Sequence, residues 1–302
     1  MRWKKLGKIF SPSSTHPKLI SHAANPLAVH LSDDIYRVFY SGRDAHSRSS
    51  IGFVDVNILT REAVHAPNVP VFEHGVADSF YSDGVSIGNL YAVNDTRYIG
   101  FMGWQVRDNQ HWCGDIGRLR MDNEALTLDP QTAWLTKDGV TDPISLSYPW
   151  VIRKDDGTYH MWYGSTLTWD AGNGEMAHVI HQAISLDGHR WKRLGLAVPY
   201  MLGVAQAFSR PTVLQDAMGY HMWFSYRSGK GEKYRIGYAL SGDSFKWELR
   251  LSDSGIAPSS KGWDNEMICY PFVFTHGKKH YMLYNGNSYG ATGFGLAIRE
   301  DA

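Results

Sequence analysis

Three carboxylates in the 302-residue sequence stand in contexts suited to acid–base chemistry. Asp83 heads an apolar stretch, GVSIGNL, where a charged carboxylate costs free energy unless something binds it. Glu175 follows Gly172, Asn173 and Gly174 on what reads as a flexible loop. Glu266 lies between Trp263 and Tyr270, and apolar neighbours raise a carboxyl pKa towards that of a useful proton donor. One such group donating a proton while another activates water makes a hydrolytic site. Each also has an ordinary structural use: bonding backbone amides, a solvated loop charge, or a salt bridge. Arg43, Arg48, Arg210, Arg227 and Arg235 offer a second chemistry, because guanidinium pairs bidentately with carboxylate or phosphate. Their alternative is to bond carboxylates of the chain, such as Asp44. His178 and His181, three apart in a strand-like stretch, face opposite sides, which argues against a two-histidine metal site. One of them could donate a proton or bond a hydroxyl. No cofactor or metal site is expected.

The elements that must position these groups read as strands. Aromatic residues make up 13% of the chain and glycines number 30, a balance that suits pleated sheet with many tight turns. Lys and Arg total 30 against 30 Asp and Glu, so neither nucleic acid nor an anionic membrane is an expected partner. Cys113 and Cys269 cannot form a disulfide framework. The opening MRWKKLGKIFSPSS lacks an apolar secretory core, and no apolar run nears the ~20 residues of a membrane helix. The expected compartment is the cytoplasm.

One unit recurs five times. Its starts fall at Asn25-Pro26, Asp83-Gly84, Tyr148-Pro149, Arg210-Pro211 and Tyr270-Pro271, the second residues being 58, 65, 62 and 60 apart. Each start leads an apolar strand, then an aromatic one: YRVFYS, RYIGFM, YHMWYG, YHMWFS and HYMLYN. Third strands follow as SIGFVDV, DIGRLRM, VIHQAIS, RIGYALS and GFGLAIR. SLDGHRW and SGDSFKW read as turns into outer strands, with Asp187 and Asp243 as turn formers. The fifth unit ends without an outer strand, whereas RWKKLGKIF at residues 2–10 parallels RWKRLGLAV at 190–198. Lending the first strand to the last unit covers the exposed sheet edges. The expected fold is therefore all-β: a five-bladed β-propeller over residues 1–302, four antiparallel strands per blade, with the N-terminal strand closing the last.

In such a ring, first-strand starts and the loops joining second to third strands open on one face. That face would gather Asn25, Asp83, Tyr148, Arg210 and Tyr270 from the starts. The loops would add Arg43, Asp44, Trp104, Glu175, His178, Arg227 and Asn285, with Trp263 and Glu266 just before the fifth start. Carboxylates, arginines and aromatics around one cleft suit a polyhydroxylated ligand.

Blades opening on N-P, S-R-P and Y-P make the chain resemble the five-bladed glycosidases: arabinanases, levansucrases, invertases and mannoside phosphorylases. EMAHVIHQAISLDGHRW, SRPTV, YRIGYALS, WDNEMICYPFVF and YNGNSYGATGFGLA also resemble a bacterial glycosidase-like group often found in cell-surface polysaccharide gene sets. The resemblance implies three inner-strand carboxylates: a base in blade one, an Asp in blade two and a Glu acid in blade three. Carried over by position, only Asp83 agrees. Asn25 cannot act as a base and Tyr148 is a poor acid. Asp83, Glu175 and Glu266 are then the expected catalytic carboxylates, and the remaining residues of the cleft its substrate contacts. The implied function is hydrolysis of a small glycan or sugar conjugate, with the arginines pointing to an anionic one. A sugar-binding propeller without catalysis, and a phosphorylase or sugar transferase, are the alternatives.

Overall fold

Alternating aromatic and branched residues fold as strands along the whole chain. The computed structural model describes residues 1–14, 16–107, 110–130 and 132–300. It is all-β apart from a 3-10 turn at Leu251–Ser254 and a four-residue helix at Asn287–Gly290. After β1 (Arg2–Phe10) comes a first antiparallel group of β2 (Ser21–Ser32), β3 (Ile35–Arg43), β4 (Ser49–Asn57) and β5 (Glu62–His65). The second holds β6 (Gly84–Val93), β7 (Thr96–Gln105), β8 (Cys113–Asp122) and β9 (Ala125–Leu128). The third holds β10 (Ser145–Arg153), β11 (Tyr159–Thr168), β12 (Ala177–Ser185) and β13 (Lys192–Leu196). The fourth holds β14 (Ala207–Asp216), β15 (Gly219–Arg227), β16 (Arg235–Ser241) and β17 (Glu248–Leu249). Last come β18 (Cys269–His276), β19 (Lys279–Asn285) and β20 (Phe294–Glu300), whose outer edge takes β1. Single parallel bridges, Ser49 to Gly84 and His178 to Ala207, join the first group to the second and the third to the fourth. Among the described residues no helix is long and apolar enough to cross a membrane.

The N-terminal strand joins the last sheet through the residues that its likeness to 190–198 picks out. Lys5 stands where Arg193 stands in the parallel segment. Lys5 Nζ lies 2.6 Å from Asp264 Oδ2, which also accepts the Tyr284 hydroxyl at 3.0 Å. Arg193 Nε lies 2.7 Å from Asp142 Oδ2, which accepts the Tyr163 hydroxyl at 2.9 Å. Gly7 and Gly195, also matched, both take positive φ (100° and 79°), which a side chain would strain. Burial works against the Asp142 charge, yet bonds from His181, Arg193 and Tyr163 hold its carboxyl below the ordinary value. Asp187 and Asp243 are turn formers: each accepts amides two and three residues on, at 2.8 Å.

Every first strand breaks register near its start at an equivalent position, and there the sequence reading needs correction. The breaks lie between Ala24 and Leu27, Ile87 and Leu90, Ser147 and Trp150, Ser209 and Thr212, and Cys269 and Phe272. Asn25, Tyr148, Arg210 and Tyr270 sit inside them with φ of 55°, 38°, 50° and 52°. Non-glycine residues held there store strain of about 1–3 kcal/mol each. In the second unit the matching pair is Gly88-Asn89, not Asp83-Gly84, so Asp83 lies ahead of the strand. A side chain at 88 is excluded, since a Cβ would fall 2.1 Å from the Pro149 carbonyl oxygen. Beyond the breaks, Phe39, Ile99, Trp162, Trp223 and Leu283 are the first partners across the ladder, and all are buried. Each such side chain contributes ~1.5–3 kcal/mol of burial, so the aromatic excess is largely core.

Arg210 is the second correction. Rather than facing a ligand, its side chain is buried among the first strands. Nε donates to the Ile87 carbonyl at 3.2 Å, Nη1 to those of Tyr270 and Pro271 at 2.9 Å each, and Nη2 to that of Pro26 at 2.7 Å. One guanidinium on β14 thus ties down β2, β6 and β18. Burial lowers its pKa to about 9, still above neutrality, so the cation persists. Arg210→Met would leave four buried carbonyls without their donors, at ~1–3 kcal/mol each. Denaturant unfolding should show a loss above ~4 kcal/mol, or no folded protein. Arg210→Lys should recover little, because a compact ammonium lacks the planar fork. Near-wild-type stability in either variant would refute the role.

Candidate functional site

Residues from all five first strands line one cavity of about 470 Å³: Ala24 and Asn25, Ser86, Tyr148, Phe208 and Ser209, and Tyr270. The ends of second strands complete its wall with Ser41 and Arg43, Met102 and Trp104, and Arg227. The register breaks explain the convergence, because a kinked strand start turns its side chain out of the ladder plane. Tyr234 from a loop and Tyr289 from the short helix at Asn287–Gly290 extend the wall, with Tyr234 5.9 Å from Tyr289 and 6.3 Å from Tyr270 between ring centres. Burial raises the pKa of Tyr148, Tyr234 and Tyr270, so their hydroxyls stay protonated and serve as neutral hydrogen-bonding groups.

The cavity is cationic. Arg43 and Arg227 are in its wall, and no Asp or Glu is among the described lining residues. Arg43 makes no side-chain ion pair among the described residues. Arg227 packs 4.8 Å over the Tyr234 ring and donates Nη2 to Glu175 Oε1 at 2.9 Å, while its Nε is buried with no partner. Asn25 Oδ1 and Ser41 Oγ are likewise buried and unpaired. A buried polar atom left this way costs ~1–3 kcal/mol, and three of them in one wall call for a polar ligand or water. Among the described residues no group of three or more His, Cys, Asp or Glu could hold a metal.

Of the expected contacts, Asn25, Arg43, Trp104, Tyr148, His178, Arg227 and Tyr270 do line this cavity. Both nitrogens of His178 are engaged, Nε2 with Ser147 Oγ and Nδ1 with Thr166 Oγ1, each at 2.7 Å. Burial, then His181 and Arg227, lower its pKa to about 3, so it is a neutral wall residue. Glu175 stands just behind the wall, bonded to Arg227 and to the amide of Met176, a lining residue.

The other expectations are met elsewhere in the fold. Asp83 is not itself a lining residue, but its Oδ2 accepts the amide of one, Val106, at 2.8 Å. Glu266 is exposed, its backbone held by Asn287 and Arg235. Asp44 closes its own loop by accepting the His46 and Arg48 amides and Arg48 Nε. Trp263 packs 5.2 Å from Tyr284, against Gly286 and Gly295. Asn285 is fully buried, accepting the Asn25 amide and donating to the Ala23 and Gly293 carbonyls. Arg235 bonds the Tyr234 and Glu266 carbonyls, so its neighbour Tyr234 is the wall residue that sequence reasoning missed. Trp112, beside His111, was missed as well; it lines the cavity just before β8.

No protein-family model matches the chain. Two Mycobacterium tuberculosis proteins, uncharacterized protein MT1551 and uncharacterized protein Rv1502, are each 41% identical to it over 307 aligned residues, covering all of both chains. Among solved structures, a glycosyl hydrolase from Bacteroides ovatus aligns with a TM-score of 0.69 at 14% identity, covering 97% of this chain and 91% of that one. A thermostable family-43 glycoside hydrolase gives 0.70 at 14%, with 97% and 94% covered. A structure from the mannoside phosphorylase family that contains β-1,2-mannosidic glycoside hydrolases gives 0.71 at 14%, with 99% and 93% covered. At such identities the likeness is one of fold.

His178, His160 and His22 predict how stability responds to acid. Burial is the largest cause for all three, lowering them from 6.5 to about 3, about 4 and about 4. Below pH 6.5 the unfolded chain takes up protons that the folded protein refuses, so stability is full above that pH and lost as pH falls towards 4. The unfolding free energy should fall steadily from pH 7 to pH 4. His178→Gln should flatten that slope by up to about one proton. An unchanged slope would mean that His178 is not held neutral.

Proposed function

We propose that this chain, which belongs to one family with the two uncharacterized Mycobacterium tuberculosis proteins that it matches end to end, takes a small anionic saccharide into its cavity. The frame for this site is a closed five-bladed propeller in which the five four-stranded groups are the blades and β1 completes the last. The observation that carries the reading is a cavity holding Arg43 and Arg227, unpaired buried polar atoms, aromatic walls and no carboxylate among its described lining residues. Guanidinium groups bind the carboxylate of a uronic or sialic-type acid, or a sugar phosphate, in bidentate fashion. Tyr148, Tyr270, Asn25 and the serines of the wall supply partners for ring hydroxyls. Asn285 holds the Asn25 amide and so orients that residue.

Glycosyl-bond chemistry in this cavity rests on Glu175. It is bonded to a charged wall side chain, Arg227, whereas Asp83 accepts the backbone amide of another wall residue, Val106, and Glu266 is exposed. The pair of carboxylates that inversion needs, ~6.5–9.5 Å apart across the bond, has no representative at Asn25, Gly88 or Tyr148. That favours a second reading, a saccharide-binding propeller without turnover.

Calorimetry with glucuronate, galacturonate, N-acetylneuraminate and glucose 1-phosphate, beside neutral glucose, tests the binding site. At least one acid should bind and glucose should not, and Arg43→Ala should weaken that binding by at least about tenfold. Binding of glucose as tightly as of the acids would sink the proposal. Chromogenic glycosides of the bound acid, with and without inorganic phosphate, then test catalysis. Turnover abolished in Glu175→Gln supports the hydrolytic reading, turnover only with phosphate supports phosphorolysis, and binding without turnover leaves the binding module.

A further inference from the structure

We infer that the cavity receives the end of a longer glycan, acidic unit inward, with the next sugar ring seated on an aromatic rim formed by Trp112, Trp169 and His111; this rests on the anionic-saccharide reading above. Trp112 lines the cavity, its ring centre 5.8 Å from that of His178. Trp169 lies beyond it at 4.9 Å, and His111 stacks on Trp169 at 4.5 Å with 19° between the planes. Aromatic surface therefore runs without a gap from the cavity wall to solvent, where His111 is exposed and both tryptophans are half-buried.

None of the three belongs to the hydrophobic clusters that hold the sheets together. Core packing does not account for them, in contrast to Trp162 or Trp223. Half-exposed tryptophans at the edge of a polar cavity present the flat apolar faces on which the C–H side of a sugar ring packs. The platform is also fixed in advance. Trp169 directly follows β11, and its loop is tied by Asp170 Oδ1, which accepts the Gly172 and Gly174 amides at 2.8 and 3.0 Å. Holding the loop before binding reduces the ordering cost of a contact there.

Charge sets the direction. Arg43 and Arg227 are in the cavity wall, whereas the rim stack is aromatic. An acidic unit is stabilised inside and a neutral ring at the rim, so the ligand enters by its acidic end.

Glucuronate and N-acetylneuraminate, each free and each linked through its anomeric carbon to galactose, make the test by calorimetry. The linked form of whichever acid binds should bind about tenfold more tightly than the free acid. Trp169→Ala should remove that gain while leaving the free acid within about twofold, and Arg43→Ala should weaken both forms alike. Thermal unfolding of Trp169→Ala separates loss of the platform from loss of the fold. A linked form that binds no better than its free acid, or a gain that survives Trp169→Ala, overturns the rim while leaving the cavity reading intact. Failure of every acid to bind, free or linked, overturns both.

Discussion

A single guanidinium without a carboxylate partner holds the centre of this structure. Arg210 reaches from β14 to carbonyls on β2, β6 and β18. Those carbonyls are free to accept because each lies at or beside a register break, where the strand stops bonding its neighbour. Kink and arginine therefore depend on each other. Residues forced to positive φ turn carbonyls inward, and the arginine offsets that strain with charge-assisted hydrogen bonds of ~1.5–3 kcal/mol each. The arrangement also fixes the electrostatics of the site. The cation is compensated only by dipoles, so it adds to the field of Arg43 and Arg227 beside the cavity that Ser209 and Tyr270 line.

The same construction explains why the resemblance to glycosidases does not extend to their carboxylates. The kink positions facing the cavity in the first and third groups hold Asn25 and Tyr148. In the second group the Pro149 carbonyl occupies the space that a side chain at 88 would need. Asn89 instead clamps the neighbouring strand, accepting the Val151 amide and donating to its carbonyl. Of the expected carboxylates, Glu175, paired with Arg227, and Asp83, bonded to the Val106 amide, stand against the wall. Among the described residues the cavity wall presents two guanidinium groups and no carboxylate.

Much of the fold was legible because it repeats. The second strands are read correctly to within a few residues at each end, since their alternation is carried by large aromatic and branched side chains. The likeness of residues 2–10 to 190–198 went further, pairing Lys5 with Arg193, and the two cations meet equivalent Asp and Tyr partners. Unit two was set five residues early because its kink carries Gly88-Asn89 rather than a residue followed by proline. The site was half legible. Position in the repeat brought out Arg43, Arg227, Tyr148 and Tyr270, but Asp44 turns to its own loop, Asn285 to the backbone of β2 and Trp263 to Tyr284 of β19.

The sequence by itself determined the all-β class, the strand order, the sharing of the first strand with the last unit and the chemical types gathered at one end. Those properties follow from local periodicity and from repetition, which one dimension records. Only the tertiary structure decided which polar groups are satisfied within the protein and which remain for a ligand. Arg210 and Arg227 look alike in sequence, each at the end of an apolar or aromatic run. One finds four carbonyls from three other strands, and the other keeps a buried N–H unpaired in a cavity wall. That difference arises from partners 60 to 184 residues away along the chain, a distance over which local pattern carries no information.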